Sequence, residues 1–235
     1  MSRWHHCILF LMAFVWVSST AQENAPPPRV MFNVDVGPPF MLSNSLQRQF
    51  LRGLILVNPS LSFRIGRRMY PGLDLYYGVW QSVNPYNFKD ANRDVVMHHA
   101  GGGLSLGYLF KTPSRQVDVF ARLVGGFTEI IFSGVAKGVD TSVFVNPENR
   151  RFLNSFFVGP SLTVFLYLDE DQKGAAGFHL GSRFLPYRLS REDLYLNKES
   201  SYSGTPDAGP SLFLNFGISF TYKFGKRRAA VTGEP

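Results

Sequence analysis

Few side chains in this sequence are spaced for catalysis. Acyl transfer needs a Ser and a His within hydrogen-bond reach and a carboxylate to orient the imidazole. His179 and Ser182, in the run Phe178–Ser182 (FHLGS), form the one close pair, but along a strand a separation of three sends them to opposite faces. His98 and His99 are adjacent and diverge for the same reason, and with no third ligand nearby they do not make a metal site. Glu129 offers a carboxylate without an evident partner. What remains is a set of charges standing singly among small polar residues: Asp35, Arg64, Asp74, Asp118, Arg122, Arg183 and Lys223. They come in both signs, so the chemistry they suit is ion pairing in an enclosed space. No catalytic, cofactor-binding or metal-binding residue is assigned, and the chain reads as a non-enzyme.

The elements that must position these charges are strands. Apolar residues recur with period two, and Gly, Pro, Asn and Ser break the pattern at intervals. In Ser211–Phe224 (SLFLNFGISFTYKF) Leu212, Leu214, Phe216, Ile218, Phe220, Tyr222 and Phe224 share one face, while Ser211, Asn215, Gly217, Ser219, Thr221 and Lys223 lie on the other. The same alternation marks Leu104 to Phe110, Leu162 to Leu168, Val30 to Val36, Leu61 to Ile65, Leu73 to Val79 and Phe178 to Phe184, and less regularly Val117 to Phe127. Eight strands result, and no helical stretch is apparent after the N-terminal run.

Composition decides which face looks outward. Only 17% of the 235 residues are charged against 45% apolar, and soluble domains carry about a quarter charged residues. The polar faces are Gly, Ser, Thr, Asn and Tyr with isolated charges, which suits a crowded interior. The apolar faces then meet lipid, and the inward charges pair across the lumen of a closed barrel. Inward Tyr76, Trp80, Phe120, Phe165 and Tyr167 should help plug that lumen, since an eight-stranded barrel is just wide enough for its own side chains.

Connections alternate strictly in length. Gly66–Gly72, Lys111–Arg115 and Asp169–Gly174 are short, whereas Gly37–Gly53, Gln81–Met97, Ser133–Arg151 and Ser190–Pro210 are long and polar. Outer-membrane barrels have short periplasmic turns and long outer loops. Both mature termini are therefore expected in the periplasm. Pro59, Pro160 and Pro186 fall inside strands, where bulges or local breaks are expected.

The N-terminus has the form of a secretory signal. Arg3, His5 and His6 precede the apolar run Cys7–Val17, and Ser19-Thr20-Ala21 offers small residues for cleavage. The expected organisation is a signal peptide over 1–21, a short Pro-rich lead over 22–28, the barrel over 29–224 and a basic tail over 225–235. Cleavage removes Cys7, the sole cysteine, so the mature chain has no disulfide.

On these residues the chain resembles the small eight-stranded outer-membrane β-barrels of OmpA/OmpX type, across about Arg29 to Phe224. The fold implied is an all-β, antiparallel, up-and-down transmembrane barrel. Asn215, Gly217, Phe220, Tyr222 and Phe224 match the spacing of the terminal-strand assembly signal that the barrel-assembly machinery reads in such families. A tail of 11 residues, with Lys226, Arg227 and Arg228, follows Phe224 here, whereas many members stop at that aromatic.

The expected function is that of a structural or interaction component of the envelope, alone or as a subunit of a larger outer-membrane assembly. Its partners are outer-membrane lipids and a protein contacted through the outer loops, which carry Tyr86, Phe88, Tyr195 and Tyr202, or through the periplasmic tail. A narrow gated or transport-related channel is the second reading, and a lipid A-modifying enzyme the third. Nucleic acid is no partner despite a pI near 9.6, because the basic residues form no stripe to track a phosphate backbone.

Overall fold

Alternation at period two over this many segments leaves a free edge at each end unless the sheet closes, and it does close. The computed structural model describes residues 29–43, 51–82, 93–112, 116–136, 150–169, 172–188 and 210–224. The expected signal, lead and tail, and most of the long loops, lie outside the described residues. The strands are β1 (Val30–Gly37), β2 (Pro39–Met41), β3 (Leu51–Phe63), β4 (Met69–Ser82), β5 (Arg93–Lys111), β6 (Val117–Ala136), β7 (Arg150–Tyr167), β8 (Gly174–Arg188) and β9 (Pro210–Phe224). Each pairs antiparallel with its neighbour, and β1 returns to β9 from Val30↔Phe224 to Val36↔Ile218. The short β2 continues that register on β9 at Pro39↔Asn215. β1 and β2 are thus one wall interrupted at Pro38, which makes a closed eight-stranded barrel out of nine segments.

The connections differ in extent from the sequence expectation. β4 begins at Met69 inside the expected turn Gly66–Gly72, and an Ile65↔Met69 bridge closes a tight loop in which Gly66 has φ of +67°. At the opposite end β4 runs on to Ser82, β6 to Ala136 and β7 starts at Arg150, all within stretches expected as loops. Polarity there marks the surface of the apolar band, whereas the backbone ladder continues beyond it.

The prolines separate into two kinds. Around Pro186 the β8–β9 register shifts, between Leu185 and Arg188, so the strand bulges. Pro59 and Pro160 keep register on both sides, and ladder partners are missing on one side only, opposite β4 and β8 respectively. Each ring turns its missing N–H toward that neighbour. The remaining bulge lies at Leu54, between Gly53 and Ile55.

Exposure follows the alternation. Leu104, Leu123, Phe127, Phe178 and Ile218 face out, whereas Tyr76, Trp80, Phe120, Phe165, Asp35, Asp74 and Arg122 are buried inside. The outward face of β6 is apolar from Val117 to Phe127 and that of β7 from Leu166 to Phe156, close to the 9 to 11 residues that about one hydrocarbon thickness needs. One pleat further out, Arg52, Gln81, His98, Glu129 and Asn154 form a polar ring on the outside of β3 to β7. At the other end the rings of Tyr108 and Phe110, and of Tyr222 and Phe224, pack together at centroid distances of 4.6 and 4.8 Å, in the manner of an interface girdle.

Inside, glycines make room for rings. A Cβ on Gly107 would stand 2.4 Å from the Phe120 ring, and one on Gly101 2.6 Å from the Tyr76 ring. Two apolar plugs result. Met31, Tyr70, Leu109, Phe120 and Phe165 fill the end with short turns, and Leu56, Trp80, Met97, Phe132, Phe157 and Phe213 fill the end with long connections. Phe213 occupies the expected polar face of the last strand and joins the second plug. Gly107→Ala should destabilise the barrel by about 1–3 kcal/mol through overpacking. Urea unfolding in lipid vesicles should find much of that loss recovered in the double variant with Phe120→Leu.

Candidate functional site

Between the two plugs the lumen carries a belt of polar groups. Its centre is Arg122 on β6. The guanidinium Nη2 donates to Asp35 Oδ2 of β1 at 2.6 Å, and Nη1 donates to Asp74 Oδ1 of β4 at 3.1 Å. Nη1 also donates to Ser60 Oγ of β3. One side chain therefore reaches three other strands. All three charged side chains are essentially inaccessible, and a buried pair is tolerable only with good geometry and further hydrogen bonds.

Those further bonds come from polar residues on the same inward parity. Ser219 Oγ donates to Asp35 Oδ1 at 2.6 Å, and Asn58 Nδ2 to Asp74 Oδ1 at 3.3 Å. Arg183 of β8 donates to Asn58 Oδ1 and lies 3.9 Å over the centroid of the Tyr76 ring. Asn215 Nδ2 contacts His179 Nε2 at 2.8 Å, and His179 Nδ1 faces Asp35 Oδ2 at 3.4 Å. Two carboxylates and two guanidiniums balance. Asp74 Oδ2, Arg122 Nε and Ser161 Oγ have no protein partner, and their residues line a cavity of about 10 Å³, room for a single water.

A second cluster sits apart. Lys223 Nζ approaches Asp118 Oδ2 at 3.5 Å, and the Tyr167 hydroxyl accepts from Lys223 and donates to Asp118. Of the expected lumen charges, then, Asp35, Asp74, Arg122 and Arg183 meet in the belt, and Asp118 and Lys223 meet in this pair. Arg64 lies past the end of β3, half-buried, with its backbone N–H on the Arg29 carbonyl at 2.8 Å, and its charge acts, like that of Asp118, on Tyr70 in the plug at the short-turn end.

Sequence reasoning missed Asn58 and His179 as members. The signal was available, because His179 shares parity with Arg183 and Asn58 with Ser60, but alternation gives a face and not a partner across the cylinder. Asn215, expected in the assembly signal, points inward onto His179, while Phe220, Tyr222 and Phe224 face out. Gly217 lies against the backbone of β1, where a Cβ would stand 1.9 Å from the Val36 carbonyl oxygen.

The arrangement has the parts of a relay without its geometry. Thr163 Oγ1 lies 3.4 Å from His179 Nδ1, the same ring nitrogen that faces Asp35. A nucleophile, base and carboxylate series needs both nitrogens. Ser182 is half-buried on the opposite face. His98 and His99 diverge as expected: His99 Nε2 meets the Tyr76 hydroxyl inside at 2.9 Å and His98 Nδ1 the Tyr77 hydroxyl outside at 2.7 Å. Among the described residues no group of three His, Cys, Asp or Glu side chains is placed to hold a metal ion.

Solved structures align along most of this chain. Neisserial surface protein A is 13% identical, with 86% of this chain covering 100% of that chain at a TM-score of 0.49. The attachment invasion locus protein Ail of Yersinia pestis is 8% identical, with coverage of 83% and 99% and a TM-score of 0.42. OprG of Pseudomonas aeruginosa is 8% identical, with coverage of 84% and 98% and a TM-score of 0.43. No family model matches the sequence, and no curated protein matches it.

Arg122→Met should cost about 3–5 kcal/mol, because it strands two buried carboxylates. Removing the charges together, with Asp35→Asn and Asp74→Asn added, should cost much less. Urea unfolding of the single and triple variants in lipid vesicles measures the difference.

Proposed function

We propose that the protein is a non-enzymatic barrel of the outer membrane that serves as a structural or interaction component of the envelope. The observation that carries this reading is the filled lumen. Two apolar plugs enclose a neutral, hydrogen-bonded belt, and the cavity at that belt holds about 10 Å³. Such an interior supports neither solute flow nor substrate access.

The outer membrane is supported by the outward apolar band, the girdle rings at one end, and the long connections at the other. In that orientation the tight turns and both mature termini are periplasmic, and the last strand is read by the barrel-assembly machinery. Contacts with a protein partner then belong to the outer connections or the basic tail.

Purified protein in planar bilayers should show no steady unitary conductance steps. Steady steps would mean that the plugs open, and the channel reading would replace this one. Orientation is tested independently by fluorescence. Trp80 lies in the lumen, so a lipid-borne quencher should affect it less than a tryptophan placed at Val164 in a Trp80→Phe background. Equal quenching, or a chain that stays soluble without detergent, overturns the membrane reading.

A further inference from the structure

The polar ring outside β3 to β7 is not uniform. At Glu129 and Asn154 it borders a groove of about 550 Å³ lined by Ala100, Gly101, Phe127, Thr128, Glu129, Asn154 and Ser155. The three strands supply it in register, with Ala100 opposite Glu129 and Glu129 opposite Asn154. The small side chain of Ala100 leaves the floor low. Phe127, on the lipid side, is 78% exposed, more than any other large apolar residue described.

The polar groups of this groove divide clearly. Thr128 Oγ1 is committed to the Ala100 carbonyl at 2.8 Å, and Ser155 Oγ to the Phe156 carbonyl at 2.9 Å. Among the described residues, the Glu129 carboxylate and the Asn154 amide have no partner and no residue lining the groove is cationic. An unpaired carboxylate beside a primary amide accepts from hydroxyls and repels phosphate. Just below it, an exposed ring offers an apolar face where the first acyl carbons or the C–H face of a sugar would rest.

We propose that this groove seats the sugar head of an outer-leaflet glycolipid, with its hydroxyls on Glu129 and Asn154 and its acyl junction on Phe127. The site rests on the membrane orientation argued above. Its depth follows from that orientation, because Glu129 stands one pleat above Phe127, where the unbroken apolar run on the outward face of β6 ends.

The test uses the full mature barrel, stripped of lipid in a zwitterionic detergent and offered a diglucosyl diacylglycerol and a phosphatidylglycerol with matched chains. Native mass spectrometry should find the glycolipid retained at least fivefold over the phospholipid. Glu129→Ala with Asn154→Ala should abolish that preference, Glu129→Lys should shift it toward phosphatidylglycerol, and Gln81→Ala elsewhere on the ring should leave it unchanged. Equal retention of the two lipids, or a preference that survives the double variant, overturns the site. Flotation with liposomes separates the two readings: a barrel that floats without preference lacks the site alone, and one that does not float loses the membrane assignment as well.

Discussion

Arg122 is the residue on which the interior depends. A closed cylinder of eight strands brings inward side chains from opposite walls into contact, and there is no solvent to absorb a mismatch. Arg122 answers this by holding a carboxylate from β1 and another from β4 while reaching Ser60 on β3. Each wall it touches is fixed relative to β6. Because the desolvation cost of buried charges roughly offsets their attraction, the belt contributes more to the uniqueness of the packing than to raw stability. An apolar core of the same volume has many ways to fill a lumen; a guanidinium fork between two carboxylates has few.

How much of this was legible in the sequence follows from the same geometry. Period two assigns a residue to the inside or the outside, and it did so for Asp35, Asp74, Arg122 and Lys223 and for the rings of Trp80 and Phe165, all of which are buried. It says nothing of height or azimuth, which depend on strand tilt and stagger. Hence the division of the charges into a belt and a separate Asp118–Lys223 pair was hidden, as was the recruitment of Asn58 and His179. Pro59 and Pro160, where bulges or local breaks were expected, break one ladder each without shifting register, since a missing donor on one side leaves the other ladder whole.

The strand ends were misread for a different reason. Polar residues at the outer ends of β4 to β7 were taken as loop, although the ladder continues through them. In a soluble sheet, loss of alternation and gain of polarity usually mean the end of a strand. In a chain that crosses lipid the two boundaries separate: the outward face turns polar where the hydrocarbon ends, and the inward face stays apolar through Met97, Ile130 and Phe132. The barrel thus projects beyond the apolar band with its interior still filled.

That projection determines where activity can reside. The lumen is packed at both ends and its belt leaves a cavity of about 10 Å³, so nothing larger than a water fits there. The outside of the band presents apolar side chains to any lipid alike. Discrimination needs polar groups that are both accessible and uncommitted, and these occur where the outward face changes character. Tyr77 and His98 at that level spend their polar atoms on each other, whereas Glu129 and Asn154 do not. The seam between β1 and β9 offers no competing site, because Gly37 and Gly217 draw the two backbones together there and leave no room even for a Cβ. Among the described residues, the rim of β5 to β7 is where accessible, uncommitted polar groups stand beside an exposed ring, which is the basis of the site proposed there.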